Sequence, residues 1–195
     1  MNNSQVLLYD DESDKAYNYG IAIIAKEGIE LKCNNWDYDF NDFLSVRVDD
    51  SFDLVAVWTH NSFKIDEKWK PQGDKEYVRR IDDYLDKYGN QFSNSNNLIM
   101  CGDFNLDMAL DNPKNKDKFI TTLKYYGYES IYHKEFNEEF GEESNKTFFN
   151  KDGDFYIDYL FSKPEIISSL SIGKKEEYVG NELSDHVPLI FEVDL

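Results

Sequence analysis

The chain has 195 residues, 41% of them hydrophobic and 16% aromatic, with only four prolines. That length and content suit one folded domain over residues 1–195 and exclude a disordered or low-complexity chain. Its 39 acidic residues outnumber 21 basic ones, a formal charge of -18, which argues against tight, non-specific nucleic-acid binding through Lys and Arg. Such acidity either serves solubility or is neutralised locally by divalent cations at a carboxylate cluster.

Met1 to Gln5 carry no basic stretch, the apolar run after them is short for a signal peptide, and no segment reaches membrane-span length. The expectation is a soluble, cytoplasmic protein without a membrane partner. Tyr19 to Ala25 predicts a buried strand, Lys26-Glu27-Gly28 a turn, and Ile29 to Lys32 a returning hairpin partner. Phe43 to Val48 alternates apolar and polar residues, as a half-exposed strand does. Phe52 to Thr59 is almost continuously apolar and predicts a central strand.

From Glu76 the period changes. Tyr77, Ile81, Tyr84, Leu85 and Tyr88 share one helical face, Gly89 reads as the C-terminal cap, and Gln91 to Asn97 reads as a loop. Leu98 to Cys101 is a short apolar strand ending at Gly102-Asp103. Asn112-Pro113 predicts a helix start, with Phe119, Ile120 and Leu123 buried and a stop near Gly127. Thr147 to Phe149 and Phe155 to Phe161 read as strands paired around Lys151-Asp152-Gly153. Ile166 to Ile172 and Val187 to Val193 complete the strands. Cys33 and Cys101 read as buried free thiols. Many strands with few helices imply a layered α/β or α+β domain.

Polar groups recur at strand ends: Thr59-His60-Asn61, Gly102-Asp103-Phe104-Asn105, Asp158 within Tyr156 to Phe161, and Ser184-Asp185-His186 before Val187. Strand ends on one rim of a sheet converge on a shared site. Taken singly, Gly-Asp-x-Asn reads as a turn and His60 as a packed or surface histidine. Asp158 is harder to dismiss, because a buried carboxylate requires a partner.

Taken in order, His60, Gly102-Asp103-Phe104-Asn105, Ile157-Asp158-Tyr159 and Ser184-Asp185-His186 resemble the endonuclease/exonuclease/phosphatase family, which includes DNase I-like nucleases, abasic-site endonucleases, sphingomyelinases and inositol polyphosphate phosphatases. Gly20-Ile21-Ala22-Ile23 and Thr147-Phe148-Phe149-Asn150 add to the likeness, which covers residues 19–195. The resemblance implies a four-layer sandwich of two packed mixed β-sheets flanked by helices, and in-line attack of water on a phosphoester. It further implies that Asp103 activates the water, Asn105 binds the phosphate, and His186 stabilises charge or transfers a proton. Asp158 would orient His186, Asp185 and Asp103 would hold Mg²⁺ or Mn²⁺, and His60 would contact phosphate or protonate the leaving group.

The family's opening strands, one ending in Trp-Asn and one in Gln-Glu, have no match here. Asp10, Asp11 and Glu12 read as a solvated acidic turn rather than a replacement. Lacking those strands, one sheet should present an edge that invites a partner chain, a second copy or Val6-Leu7-Leu8-Tyr9. The first functional expectation is a divalent-metal-dependent phosphoesterase, foremost a nuclease. The second is a catalytically impaired, acidic binding protein on the same scaffold, and the third a phosphatase of small phosphoesters.

Overall fold

A computed structural model describes residues 5–10, 20–34, 36–37, 40, 42–59, 80–110 and 113–195. Its strands are β1 (Gln5–Asp10), β2 (Gly20–Ala25), β3 (Leu31–Cys33), β4 (Phe43–Val48), β5 (Phe52–Trp58), β6 (Leu98–Asp103), β7 (Glu129–Ser130), β8 (Phe148–Asn150), β9 (Gly153–Phe155), β10 (Asp158–Ser162), β11 (Ile167–Ile172) and β12 (Leu189–Val193). The helices are α1 (Arg80–Asn94), α2 (Pro113–Tyr125), α3 (Ile131–Phe136) and the short α4 (Lys175–Tyr178).

A mixed six-stranded sheet in the order β3-β4-β5-β6-β10-β7 forms the centre. Only β5 and β6 run parallel there, and their crossover contains α1. Register fixes which side chains share a face, because ladder partners point the same way. Phe43, Val57, Gly102 and Tyr159 form one row, and Ser45, Val55, Met100 and Phe161 the next on the same face. Helices cover this face: Phe43 stacks on Tyr84 of α1 at 3.8 Å between centroids, and Phe161 meets Phe119 of α2 edge-on at 5.4 Å.

The opposite face carries the rows Leu44, Ala56, Cys101, Leu160 and Val46, Leu54, Ile99, Ser162. Two antiparallel pairs lie over it. Ile21 of β2 packs with Leu44, Val46 and Val48, which places β1–β2 over β4 and β5. Leu189 and Phe191 pack on the core where β11–β12 lies over β10. The α/β sandwich expected from the sequence is therefore present. Among the described residues its second layer is these two separate ladders.

Several local expectations need correction. Residues 31–33 do not return onto β2; they pair with β4 and extend the six-stranded sheet. β4 is not half-exposed: Ser45 is fully buried, because its hydroxyl donates to Asp37 at 2.7 Å. Gly89 does not cap α1, which continues to Asn94, so residues 91–94 are helical. That glycine is buried against the Tyr126 ring, whose hydroxyl oxygen lies 2.1 Å from where a Cβ would sit. The run from Phe155 to Phe161 divides at Tyr156-Ile157: β9 forms the hairpin with β8, and β10 joins the large sheet. Cys33 is exposed, whereas burial pushes the Cys101 thiol up to about 12. Tyr77 and Asn112 lie outside the described residues. Val6 to Tyr9 do pair with β2.

Asp37 anchors the helix-covered core. Its second oxygen accepts from the Tyr84 hydroxyl at 3.0 Å. Burial, reinforced by the neighbouring carboxylate, drives the Tyr84 phenol well above its ordinary range. Tyr84→Phe removes a donor from a buried carboxylate, and a loss of about 1–3 kcal/mol is expected. The check is urea unfolding, read as a lower midpoint at unchanged slope.

Candidate active site

The site lies where the parallel strands β5 and β6 end. Trp58, Asp103 and Asp158 form the last row of the sheet, so Asp103 and Asp158 sit side by side on the face that bears the second layer. β6 runs through Gly102-Asp103, so this motif is strand rather than turn. Gly102 adopts φ +141°, a conformation that favours glycine, and a Cβ there would fall 2.1 Å from the Val57 carbonyl oxygen. Directly opposed carboxylates repel one another, and the arrangement persists because other groups hold it.

Asn105 holds Asp103. With φ +48°, it folds back so that its backbone N–H donates to Asp103 Oδ1 at 2.7 Å and its amide to Oδ2 at 3.1 Å. The same amide donates to the Thr59 carbonyl at 2.6 Å. The Thr59 N–H donates to the Asp103 carbonyl, and its buried hydroxyl to the Phe104 carbonyl.

His186 Nδ1 lies 2.9 Å from Asp158 Oδ2. A carboxylate accepts rather than donates, so Nδ1 carries the proton and Nε2 is turned toward the open side. Nε2 stands 4.0 Å from Asp103 Oδ2, too far for a direct hydrogen bond and close enough for one oxygen beside the pair to be engaged by both. Burial alone would disfavour the imidazolium. The hydrogen bond to Asp158 and the charges of Asp158, Asp103 and Asp185 together outweigh it and raise the His186 pKa. Asp158→Asn removes the main raising partner. The His186 ring signal should then titrate at lower pH than in the unmodified protein, measured by proton NMR.

Sequence reasoning missed the device that holds this pair together. The buried Thr147 hydroxyl accepts from the N–H groups of Ile157 and Asp158 at 3.1 and 3.2 Å. Its carbonyl accepts from Val187, which ties the start of β10 to the residue after His186. Phe148 packs its ring 4.7 Å from the imidazole. A threonine before an aromatic hairpin strand was the available signal.

The structure thus brings together Asp103, Asn105, Asp158 and His186. Asp185 is exposed, its carbonyl accepts from Phe149, and its charge is felt by His186. His60 lies outside the described residues, although its neighbour Thr59 is at the site.

A second buried cluster went unnoticed in the sequence: His133 lies 2.7 Å from the Ser130 hydroxyl and 3.0 Å from Glu143. Burial opposes the Glu143 charge, but hydrogen bonds from His133 and the Gly141 N–H lower its pKa overall. With both partners buried, this cluster ties α3 to the segment before β8.

Mg²⁺ requires near-octahedral oxygen ligation. Among the described residues no group of three or more His, Cys, Asp or Glu side chains is placed to hold a metal ion. Both Asp103 oxygens are engaged by Asn105, and Asp158 Oδ2 by His186. These residues alone do not fit the ion.

The fold is shared with solved structures of the endonuclease/exonuclease/phosphatase class. One is a 3′ phosphatase, NExo, from Neisseria bound to a product DNA hairpin, with TM-score 0.64 and 15% identity over 98% of this chain and 80% of that one. The 3′-5′ exonuclease NExo from Neisseria meningitidis gives 0.62 and 16%, over 98% and 80%. The endonuclease domain of TRAS1, a telomere-specific non-LTR retrotransposon, gives 0.60 and 16%, over 97% and 79%. No protein-family model matches the sequence, and no curated protein does. The chain therefore has the DNase I-like fold. No helix among its described residues is long and apolar enough to cross a membrane.

Proposed function

We propose that this protein is a phosphoesterase acting on phosphodiester bonds, foremost those of nucleic acid. One observation carries the reading: Asp103 and the Asp158–His186 pair stand close enough to engage the same oxygen from one side. In this reading Asp103 takes the proton of an attacking water and Asn105 fixes the carboxylate's orientation. His186, oriented by Asp158, donates from Nε2 in its imidazolium form to the phosphoryl oxygens as negative charge develops. The three neighbours described above act on phosphoesters by name, which supports the class.

Mg²⁺ or Mn²⁺ is proposed as a cofactor on the family resemblance, not on the described carboxylates, which by themselves do not hold either ion. Asp103 and Asp185 would need further ligands to hold either ion. A reducing compartment such as the cytoplasm suits two cysteines that form no disulfide. The test is incubation of the purified chain with single-stranded DNA, duplex DNA bearing a 3′ phosphate, and RNA, with Mg²⁺, Mn²⁺ or chelator. Metal-dependent cleavage is expected, reduced at least about 100-fold in Asp103→Asn. If no substrate turns over under any condition, the acidic-binding-protein reading takes its place.

A further inference from the structure

We propose that the unpaired edge of β12 docks an extended strand of another polypeptide, alternately apolar and flanked by basic residues. The inference stands on backbone geometry and surface chemistry, independently of the hydrolase reading.

Over Leu189–Val193, β12 pairs with β11 alone among the described residues; just before it, His186 bridges to Phe148 and the Val187 N–H donates to the Thr147 carbonyl. The direction of its backbone groups follows from its contacts. The Pro188 carbonyl accepts from the Gly173 N–H, the Ile190 carbonyl from the Ser171 hydroxyl, and the Glu192 carbonyl from the Ser168 hydroxyl. These residues therefore face β11, and the two-residue period of a strand turns the N–H and C=O groups of Leu189, Phe191 and Val193 to the opposite edge. An edge of this kind is a template for strand addition, with main-chain hydrogen bonds supplying affinity and alternate side chains specificity.

Beside this edge lies a hollow of about 400 Å³. Cys101 and Gly102 line it together with Val187, Leu189 and Phe191, and it opens next to Asp158 and His186. Its position follows from the layering. β1–β2 packs on β4 and β5, and β11–β12 reaches β10, so the strip of β6 between them is left partly open. An added strand on β12 would place every second side chain in this hollow. That requires apolar residues at alternate positions.

Charge chooses the occupant. The charge of -18, with Glu192, Asp194 and Asp185 exposed near this edge, favours a basic segment and opposes a second copy of the same acidic chain.

The experiment uses the intact chain and a synthetic peptide of about eight residues alternating valine and threonine, the length of a strand, with lysines at both ends. Amide hydrogen exchange is followed at Leu189, Phe191 and Val193. These amides should exchange rapidly in the free monomer and slow at least about tenfold with the peptide. A version carrying proline at alternate positions, which lacks the donors, should give no protection. Protection in the free monomer would show that the chain covers its own edge and overturn the proposal. Protection that rises with protein concentration alone would assign the edge to a second copy. Unchanged exchange with saturating peptide would also overturn it.

Discussion

Replacing His186 by alanine is expected to lower phosphodiester cleavage by about 100- to 10,000-fold, the range supplied by a positioned proton-transfer group. The ring is held by Asp158 at 2.9 Å and faces Asp103 across 4.0 Å, and alanine removes the imidazole from this arrangement. The pH dependence carries a sign. His186 has a raised pKa in the folded state, so its contribution to stability is fully present below the unfolded imidazole value of about 6.5 and is lost as pH rises through the folded value. Urea unfolding of the two proteins should therefore differ more at acidic than at alkaline pH. A variant that cleaves as fast as the parent chain would remove His186 from the chemistry.

The second large effect is expected at Gly102. A methyl group there would stand 2.1 Å from the Val57 carbonyl oxygen and 2.9 Å from the Val57 nitrogen, on backbone at φ +141°. Both clashing atoms belong to the neighbouring parallel strand, so a rotamer change cannot relieve them. Gly102→Ala should cost about 3 kcal/mol or more, as strained backbone combined with overpacking does. It should also displace Asp103, the next residue. Thermal unfolding and the cleavage assay would be read together. A melting temperature within a degree or so of the parent value, where about 1 kcal/mol already shifts it by 2–8 °C, would show that β5 and β6 separate easily.

The positions of the chemical groups were legible because each chemical fragment follows or enters an apolar strand, and strands of one sheet end on a common rim. Asp103 and Asp158 were named separately, but their adjacency came from the antiparallel register of β6 and β10. The pattern over Glu76 to Tyr88 located a helix and misplaced its end, because Gly89 serves packing against Tyr126 rather than termination. Ser45 read as solvent-facing because alternation cannot see a buried acceptor such as Asp37. Thr147 was visible only as the start of an aromatic strand; its role lies in two N–H groups of Ile157 and Asp158 that reach its hydroxyl only after folding.

Most strands, the long helices, the strongly acidic surface and the ionisable groups at the strand ends were readable residue by residue, because periodicity and side-chain chemistry are local properties. Folding alone sets the pairing of β3 with β4, the two ladders of the second layer and the open edge of β12 among the described residues, and the 4.0 Å between Asp103 and His186. Strand pairing and the gap between side chains depend on contacts among residues far apart in the chain. Free energy of packing and hydrogen bonding selects those contacts, and no local pattern encodes them.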